Sequence, residues 1–388
     1  MTIVTTEEHN HRVQRLREAM RAADLDALII AGKGHWWTGR GALRYLTDFH
    51  LWGHDGLALL PLEGEPGLAL TSPAVGRRVA QRGLVRDVRG DFALVDSIRD
   101  MIHERAVASG RIGVVGYDWV LPAGRLAALR SAVPDAQFVP ADRLFEDVRA
   151  VKSDLEIAQA RELWPVMRDA MSAFVDALAP NRSRLAAASE AVRAAYARGV
   201  RDVLVFIGED LDDINPPTEA LLRLDGMLRM HLEICGASGH WCERTVMIAY
   251  RDLTPDEEAL QQAELKAYAA VREAARPGTT LRGLMDVYEA SLRDSGYAVT
   301  RPSHHFDMHG QGLDTIEYPR ISSADLRGTD PDTELREGMV FSYHPFRPVA
   351  PAGTWGPDIH DNVVVTSTGF ERLSGAWDLS IRRADTLA

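Results

Sequence analysis

The titratable residues with the clearest chemical potential interrupt apolar stretches in the second half of the chain. In MLRMHLEICG, His231 and Glu233 alternate with apolar residues, so both side chains lie on one face of a predicted strand. After the turn GASG, Glu243 lies on a returning strand, where its carboxylate can converge with the other two across a hairpin. A solvated polar face would explain these three residues equally well.

Further polar residues follow at other predicted strand ends. His309 begins the glycine-rich segment HGQG, His344 ends the apolar strand GMVFSYHPF, and His360 and Asp361 open the strand of HDNVVVT. A single histidine on a strand is usually structural. Several polar side chains in one sheet are costly to bury unless they pair, bind a ligand or titrate. The pattern therefore predicts a site where several strand ends meet.

Helix start signals indicate the elements that must position these residues. Ser153 with Glu156, and Thr254 with Glu257, have the spacing of capping boxes. The first box predicts one long helix from VKSDLEIAQAR through SAFVDALAP, and the second predicts a helix that ends at ARPG. With a third helix in TLRGLMDVYEASLRDSGY and the apolar strands around it, this half is expected to be α+β, with long helices behind a mostly antiparallel sheet.

The first 150 residues have a different pattern. An amphipathic helix over 7–23 is followed by alternating apolar strands and helices, which is typical of a compact α/β domain. A chain of 388 residues is also longer than one average domain. We therefore expect an N-terminal domain at 1–150 and a C-terminal domain at 151–388.

Composition narrows the functional classes. Hydrophobic residues make up 46% and charged residues 26%, which argues against long disorder, and the net charge of -12 argues against binding to nucleic acid or to anionic membranes. The start of the chain is acidic and no apolar run approaches 18 residues, so a cytoplasmic protein is expected. The two cysteines, Cys235 and Cys242, cannot form a disulfide framework and are interpreted as small apolar fillers.

Several segments, in order, resemble the pita-bread family of methionine aminopeptidase, aminopeptidase P, prolidase and creatinase. They are YLTDF, VKSDLEIAQAR, EICGASGHWCERT, MHGQGLDTIEYP, LREGMVFSYHP and HDNVVVTSTGFERL. The last resembles the family's ED-x-V-x-VT ending. The resemblance implies a C-terminal pita-bread catalytic domain, an N-terminal α/β accessory domain like that of creatinase, and a hydrolase.

The resemblance also implies a metal site, and the chain departs from it. Metalloenzymes of the family carry Asp, Asp, His, Glu and Glu around two ions, and the matching positions are taken to be Glu233, Glu243, His309, His344 and Asp361. Only the histidine is unchanged, and His344 removes a bridging carboxylate. Because two divalent ions need several anionic oxygens, an intact dinuclear centre is not expected. A metal-free site is favoured, with a single Mn, Zn or Fe ion on those five residues as the alternative.

Without a metal, a hydrolase needs a general base, and a histidine is the usual choice. We therefore expect His309 to act as base or proton shuttle, with His344 as its partner or as the residue that holds a substrate carboxylate. Glu233 or Glu243 would bind a cationic nitrogen or act as nucleophile. The residues predicted to contact substrate are His231, Arg244, His305 and Glu317. Glu317 could instead pair with Arg320. His360 is expected to face away from Asp361 and to matter little.

The favoured function is a creatinase-like hydrolase of a C–N bond in a small amide, an amidine-like metabolite or a peptide. The alternatives are an Xaa-Pro aminopeptidase-like metallopeptidase with one ion, a lyase on the same fold, and a binding module, which the titratable cluster disfavours. The expected partners are a small-molecule substrate and a second copy of the chain, and not nucleic acid or a membrane. The homodimer would use the Trp-rich segment at 34–49.

Overall fold

The computed structural model describes residues 4–34, 38–81, 84–211, 213–300, 305–345 and 353–384. Contacts divide the chain into two compact units, one of 2–150 with 313–315 and the other of 151–312 with 316–388. Trp36 and Trp37, of the segment expected at the dimer interface, and His304, beside the predicted substrate contact His305, lie outside the described residues. In the part of the chain described, no helix has the length and apolar character needed to cross a membrane.

The N-terminal unit is a six-stranded mixed sheet with helices on both faces. Its helices are α1 (Thr6–Ala22), α2 (Gly41–Thr47), α3 (Pro73–Ala80), α4 (Leu94–Glu104), α5 (Ala123–Ala132) and α6 (Asp142–Ala150). Its strands are β1 (Ala27–Lys33), β2 (Asp55–Pro61), β3 (Gly67–Leu70), β4 (Asp87–Gly90), β5 (Arg111–Val115) and β6 (Gln137–Pro140), in the order β4-β3-β2-β1-β5-β6. Strand β1 is continuously apolar because Leu28 and Ile30 enter one core while Ala27 and Ile29 enter the other.

The C-terminal unit contains two five-stranded sheets and five helices among its described residues. The helices are α7 (Asp154–Arg161), α8 (Trp164–Asp176), α9 (Arg184–Ala197), α10 (Pro255–Ala274) and α11 (Leu281–Asp294). The first sheet has the order β16-β10-β9-β7-β8, with β7 (Asp202–Asp210), β8 (Asp213–Asn215), β9 (Met227–Cys235), β10 (Trp241–Ala249) and β16 (Arg382–Arg383). The second has the order β12-β11-β13-β14-β15, with β11 (Asp307–Gly310), β12 (Glu317–Ser322), β13 (Val340–Tyr343), β14 (Asp361–Thr366) and β15 (Gly369–Arg372).

Both predicted capping boxes are present, at the starts of α7 and α10. The expectation of one long helix after Ser153 is wrong, because α7 ends at Arg161 and α8 begins at Trp164. Pro165 lies in the first turn of α8, where its missing N–H costs nothing, whereas in the interior of a continuous helix it would break the hydrogen-bond ladder.

Helix packing decides which face of each strand becomes polar. Met167 and Phe174 of α8 pack in one apolar cluster with Leu232 and Ile234 of β9, so alternation turns the other side chains of β9 to the opposite face. In the second sheet, the ring of Tyr343 lies 4.7 Å from that of Tyr268 on α10. Each sheet therefore has a helix-covered face and an opposite face that can carry polar residues.

Candidate active site

The hairpin of β9 and β10 has the predicted arrangement of polar residues. Glu233 lies directly opposite Glu243, and His231 lies directly opposite Thr245. His231 Nε2 lies 3.3 Å from Glu233 Oε1 and 3.9 Å from Glu243 Oε2, and His231 Nδ1 lies 3.0 Å from Thr245 Oγ1. The two carboxylates and the imidazole thus form one cluster on the face away from α8.

The second sheet contributes three histidines to the same cluster. The Nε2 atoms of His309 and His344 each lie 3.9 Å from Glu243 Oε1, and their rings are edge to face at 4.8 Å. His360 stacks on His344 at 4.9 Å and lies 4.5 Å from the ring of His231. The two sheets are joined here because the Glu243 N–H donates to Asn362 Oδ1 at 3.0 Å.

Two groups in this cluster have the composition of metal-ligand sets, and they share Glu243. One is Glu243, His309 and His344, and the other is His231, Glu233 and Glu243, with the ligand atoms of each group within 4.8 Å of one another. Metal–ligand bonds of about 2.1 Å allow ligand atoms to lie up to about 4.2 Å apart. The 3.9 Å distances from Glu243 Oε1 to the two imidazoles therefore fit a common ion.

Two further observations favour the first group as a ligand set. Glu243 Oε1 is buried and has no hydrogen-bond partner among the described residues. His309 Nδ1 lies 2.9 Å from the carbonyl oxygen of Gly310, an acceptor that holds the proton on Nδ1 and leaves the Nε2 lone pair directed at Glu243. Metal-binding histidines commonly donate their second N–H in this way. The residues present thus fit one divalent ion.

The electrostatics of the cluster also favour a cation. Burial, followed by repulsion from Glu233, Asp307 and Asp358, raises the pKa of Glu243 well above its usual value. Burial lowers the pKa of His309, and burial together with the neighbouring imidazoles lowers the pKa of His344 further. The histidines are therefore neutral with free lone pairs at neutral pH, and a bound cation would stabilise the ionised carboxylate that burial disfavours.

The expected role of Asp361 at the site is wrong, and His360 lies there instead. Asp361 faces the helices, where its carboxylate accepts hydrogen bonds from Tyr268 Oη at 2.8 Å and from Arg372 Nε. Adjacent residues of a strand point to opposite faces, so His360 points into the cluster. The expectation was therefore wrong by one position: the strand turns residue 360, rather than residue 361, toward the cluster.

Three residues expected to bind substrate hold internal structure instead. Arg244 faces away from Glu243 and donates to the carbonyls of His360 at 2.8 Å and Asp378 at 2.5 Å, and burial lowers its pKa to about 10. His305 is fully buried, with Nε2 2.9 Å from Glu289 Oε1 on α11.

Glu317 is the third, and its partner is not the expected Arg320. Lys152 Nζ donates to Glu317 Oε2 at 2.9 Å in a buried ion pair, while Arg320 lies 3.5 Å from Asp307. A Cβ on Gly312 would lie 2.7 Å from the same carboxylate oxygen. This glycine of HGQG therefore allows close approach of a protein side chain rather than of a ligand.

Asp358, Thr245 and Asn362 line or support the cluster and were not singled out from the sequence. His360 Nδ1 lies 3.1 Å from Asp358 Oδ1 and 2.9 Å from Thr245 Oγ1. Burial alone would raise the pKa of Asp358, but His360 and Arg229 lower it to about 2, so this carboxylate is ionised. A signal for His360 existed, because the ED-x-V-x-VT pattern aligns its glutamate with His360 and its aspartate with Asp361. Asp358 had no comparable signal.

Comparisons with known proteins agree with this fold. Residues 12–151 match the Creatinase/Prolidase N-terminal domain, and residues 214–367 match Metallopeptidase family M24. The chain is 27% identical to the putative dipeptidase YkvY of Bacillus subtilis, over 94% of this chain and 97% of that protein. It is 23% identical to the ectoine hydrolase of Halomonas elongata, over 95% of this chain and 96% of that protein.

Among solved structures, the dipeptidase PepE of Mycobacterium ulcerans superposes with a TM-score of 0.78 at 22% identity, over 99% of this chain and 100% of that chain. The fold and the site define a pita-bread hydrolase of C–N bonds with a creatinase-like N-terminal domain. The chain belongs to the pita-bread family of M24 metallopeptidases, which includes aminopeptidase P and prolidase. The expectation of a metal-free site is not supported, since the family is one of metallopeptidases and ligand-like clusters are present.

Proposed function

We propose that this chain is a metal-dependent hydrolase that cleaves the C–N bond of a small amide or dipeptide, with one divalent ion held by Glu243, His309 and His344. The observation that carries the proposal is the convergence of both imidazole Nε2 atoms on the buried, unpartnered Oε1 of Glu243, each at 3.9 Å. Buried polar atoms usually have a hydrogen-bond partner, whereas His309 turns the lone pair of Nε2 rather than a proton toward this oxygen.

Amide hydrolysis needs a base for the attacking water and an acid for the leaving nitrogen. When bound, a divalent ion acts as a Lewis acid toward the carbonyl oxygen and makes a water molecule more acidic. Glu233 is the carboxylate best placed to accept that proton and return it to the leaving nitrogen, because it lies opposite Glu243 and is only partly buried. His231 and Thr245 orient this carboxylate through their hydrogen bonds.

The relatives suggest which substrates to test. A dipeptide and ectoine, the compounds indicated by the names of two relatives, are both small molecules cleaved by hydrolases. We therefore propose a small uncharged or zwitterionic amide or amidine as substrate, and an Xaa-Pro dipeptide as the narrower case. The panel should contain Xaa-Pro dipeptides, dipeptides without proline, and ectoine.

The experiment begins with metal analysis of protein purified without added metal. About one equivalent of a transition metal is expected, with activity lost on chelation and restored by Mn, Zn or Fe. His309→Ala and the isosteric Glu243→Gln should lose the ion. His11→Ala, which removes an exposed histidine of α1, should keep it. A hydrolase that is active without metal and insensitive to chelators would refute the proposal, and a product formed without incorporation of labelled water would indicate a lyase.

A further inference from the structure

A continuous line of hydrogen bonds runs through the site from Asp358 to Glu233. Asp358 Oδ1 lies 3.1 Å from His360 Nδ1, which lies 2.9 Å from Thr245 Oγ1. Thr245 Oγ1 lies 3.0 Å from His231 Nδ1, and His231 Nε2 lies 3.3 Å from Glu233 Oε1. All five side chains are largely buried, so each proton in the line needs both a donor and an acceptor.

The positions of the protons follow from the ionised end of the line. Because Asp358 can only accept, the facing Nδ1 of His360 must carry a proton. Because this protonated Nδ1 also faces Thr245 Oγ1, the Thr245 hydroxyl can only accept from His360. The hydroxyl therefore donates its own proton to His231 Nδ1. A neutral imidazole that accepts at Nδ1 carries its proton on Nε2. The proton of His231 therefore points at Glu233 Oε1, with Glu243 Oε2 3.9 Å away.

Three contacts hold this arrangement in place. Arg229 Nη1 donates to the second oxygen of Asp358 at 3.3 Å, which fixes the carboxylate from its other side. The ring of Phe206 on β7 lies 6.1 Å from that of His231, and the ring of His360 lies 4.5 Å from it. His231 therefore has two neighbouring rings, and both of its nitrogens have partners.

We infer that His231 is a fixed hydrogen-bond donor to the Glu233–Glu243 pair and takes the role that a second metal ion would have, with Asp358 acting as the positioning residue. The group His231, Glu233 and Glu243 has the composition of a ligand set, but an Nε2 that carries a proton has no lone pair for a metal. This inference rests on the proposed function, in which one ion occupies the neighbouring set. It adds that the proton on His231 Nε2 prevents the group His231, Glu233 and Glu243 from binding a second ion.

Nuclear magnetic resonance of apo protein with 15N-labelled histidine tests the proton positions directly, since protonated and unprotonated ring nitrogens have well-separated shifts. His231 should show an unprotonated Nδ1 and a protonated Nε2, and His360 a protonated Nδ1. Signals are assigned by their loss in His231→Asn and His360→Asn. A protonated Nδ1 on His231 would overturn the inference.

Substitutions at Thr245 and at Asp358 separate the two ends of the line. Thr245→Val removes the hydroxyl and should change the shifts of His231 while leaving the Nδ1 proton of His360 in place. Thr245→Ser keeps the hydroxyl and should restore the wild-type pattern. Asp358→Asn, whose amide can either accept or donate, should give mixed proton positions on both histidines. Unchanged His231 shifts in both Thr245→Val and Asp358→Asn would show that the line does not set its tautomer and would overturn the proposal.

Metal titration by calorimetry completes the test and separates the two proposals. Wild-type protein should bind one divalent ion, and a stoichiometry of two would overturn the inference while leaving a metallohydrolase. Absence of metal binding with the expected His231 shifts would instead refute the proposed function and leave the hydrogen-bonded donor standing. The shift measurement needs no metal and no substrate, so its outcome does not depend on activity.

Discussion

A buried carboxyl behind the site should make the protein less stable as the pH rises. Glu264 lies in the middle of α10 with no solvent exposure. Tyr288 Oη donates to one of its oxygens at 2.5 Å, and the other oxygen has no partner among the described residues. Burial raises the pKa of Glu264 from 4.5 to about 7, despite the opposing hydrogen bond from Tyr288.

The direction of this pH dependence follows from whether the folded or the unfolded state holds the Glu264 proton. Between pH 4.5 and 7 the folded protein keeps the Glu264 proton and the unfolded chain releases it, so the free energy of unfolding falls as the pH rises. Each pH unit in this interval costs about 1.4 kcal/mol. Over the whole interval the free energy of unfolding therefore falls by about 3 kcal/mol. This loss is complete above pH 7 and absent below pH 4.5.

Glu264→Gln removes the titration and keeps an oxygen that can accept from Tyr288. The stability difference between this variant and wild type should shift by about 3 kcal/mol in favour of the variant between pH 4.5 and 8. Urea denaturation of chelated protein at several pH values measures it. Glu273→Gln, an exposed change on the same helix, should show no such slope. A difference between Glu264→Gln and wild type that does not vary with pH would refute the reasoning.

Three further predictions concern the site and the assembly. Asp361→Asn should lower the free energy of unfolding by about 3 kcal/mol, because it weakens a buried ion pair with Arg372, and calorimetry should still find the bound ion. His360→Ala should weaken metal binding about 10–100-fold in the same titration, since its ring supports that of His344; unchanged affinity would contradict this. The chain should be a homodimer by light scattering, and Trp52→Glu, which alters a side chain that is 73% exposed, should favour the monomer. A monomeric wild type at micromolar concentration would refute it.

The parts of the site that depend on local pattern could be predicted from the sequence. Alternation along β9 placed His231 and Glu233 on one face, and the GASG turn brought Glu243 back on the neighbouring strand, where the structure pairs it with Glu233. The capping boxes gave the starts of α7 and α10. These features depend on residues that are close in sequence, so the spacing of residue types is enough to predict them.

Several of the failures involve partners that are distant in sequence. Glu317 pairs with Lys152, which lies 165 positions away, and nothing in the sequence around either residue indicates that ion pair. The expectation that Asp361 lies at the site, with His360 turned away from it, is the second case. The face of β14 that meets α10 is decided by packing against Tyr268, and packing is a property of the folded chain. Asp358 likewise gains its role only through contacts with His360 and Arg229.

The substitutions at the site form a consistent set when their charges are considered together. The family's five ligands include four carboxylates, which offset the charge of two divalent ions. At the five matched positions, with His360 in place of Asp361, only Glu233 and Glu243 are carboxylates here, while His344 and His360 are uncharged. Two ligand carboxylates offset the charge of one divalent ion, and the matched positions supply no further anionic ligand for a second. The loss of two anionic ligands and the convergence of His309 and His344 on Glu243 thus both support the proposed centre with one ion.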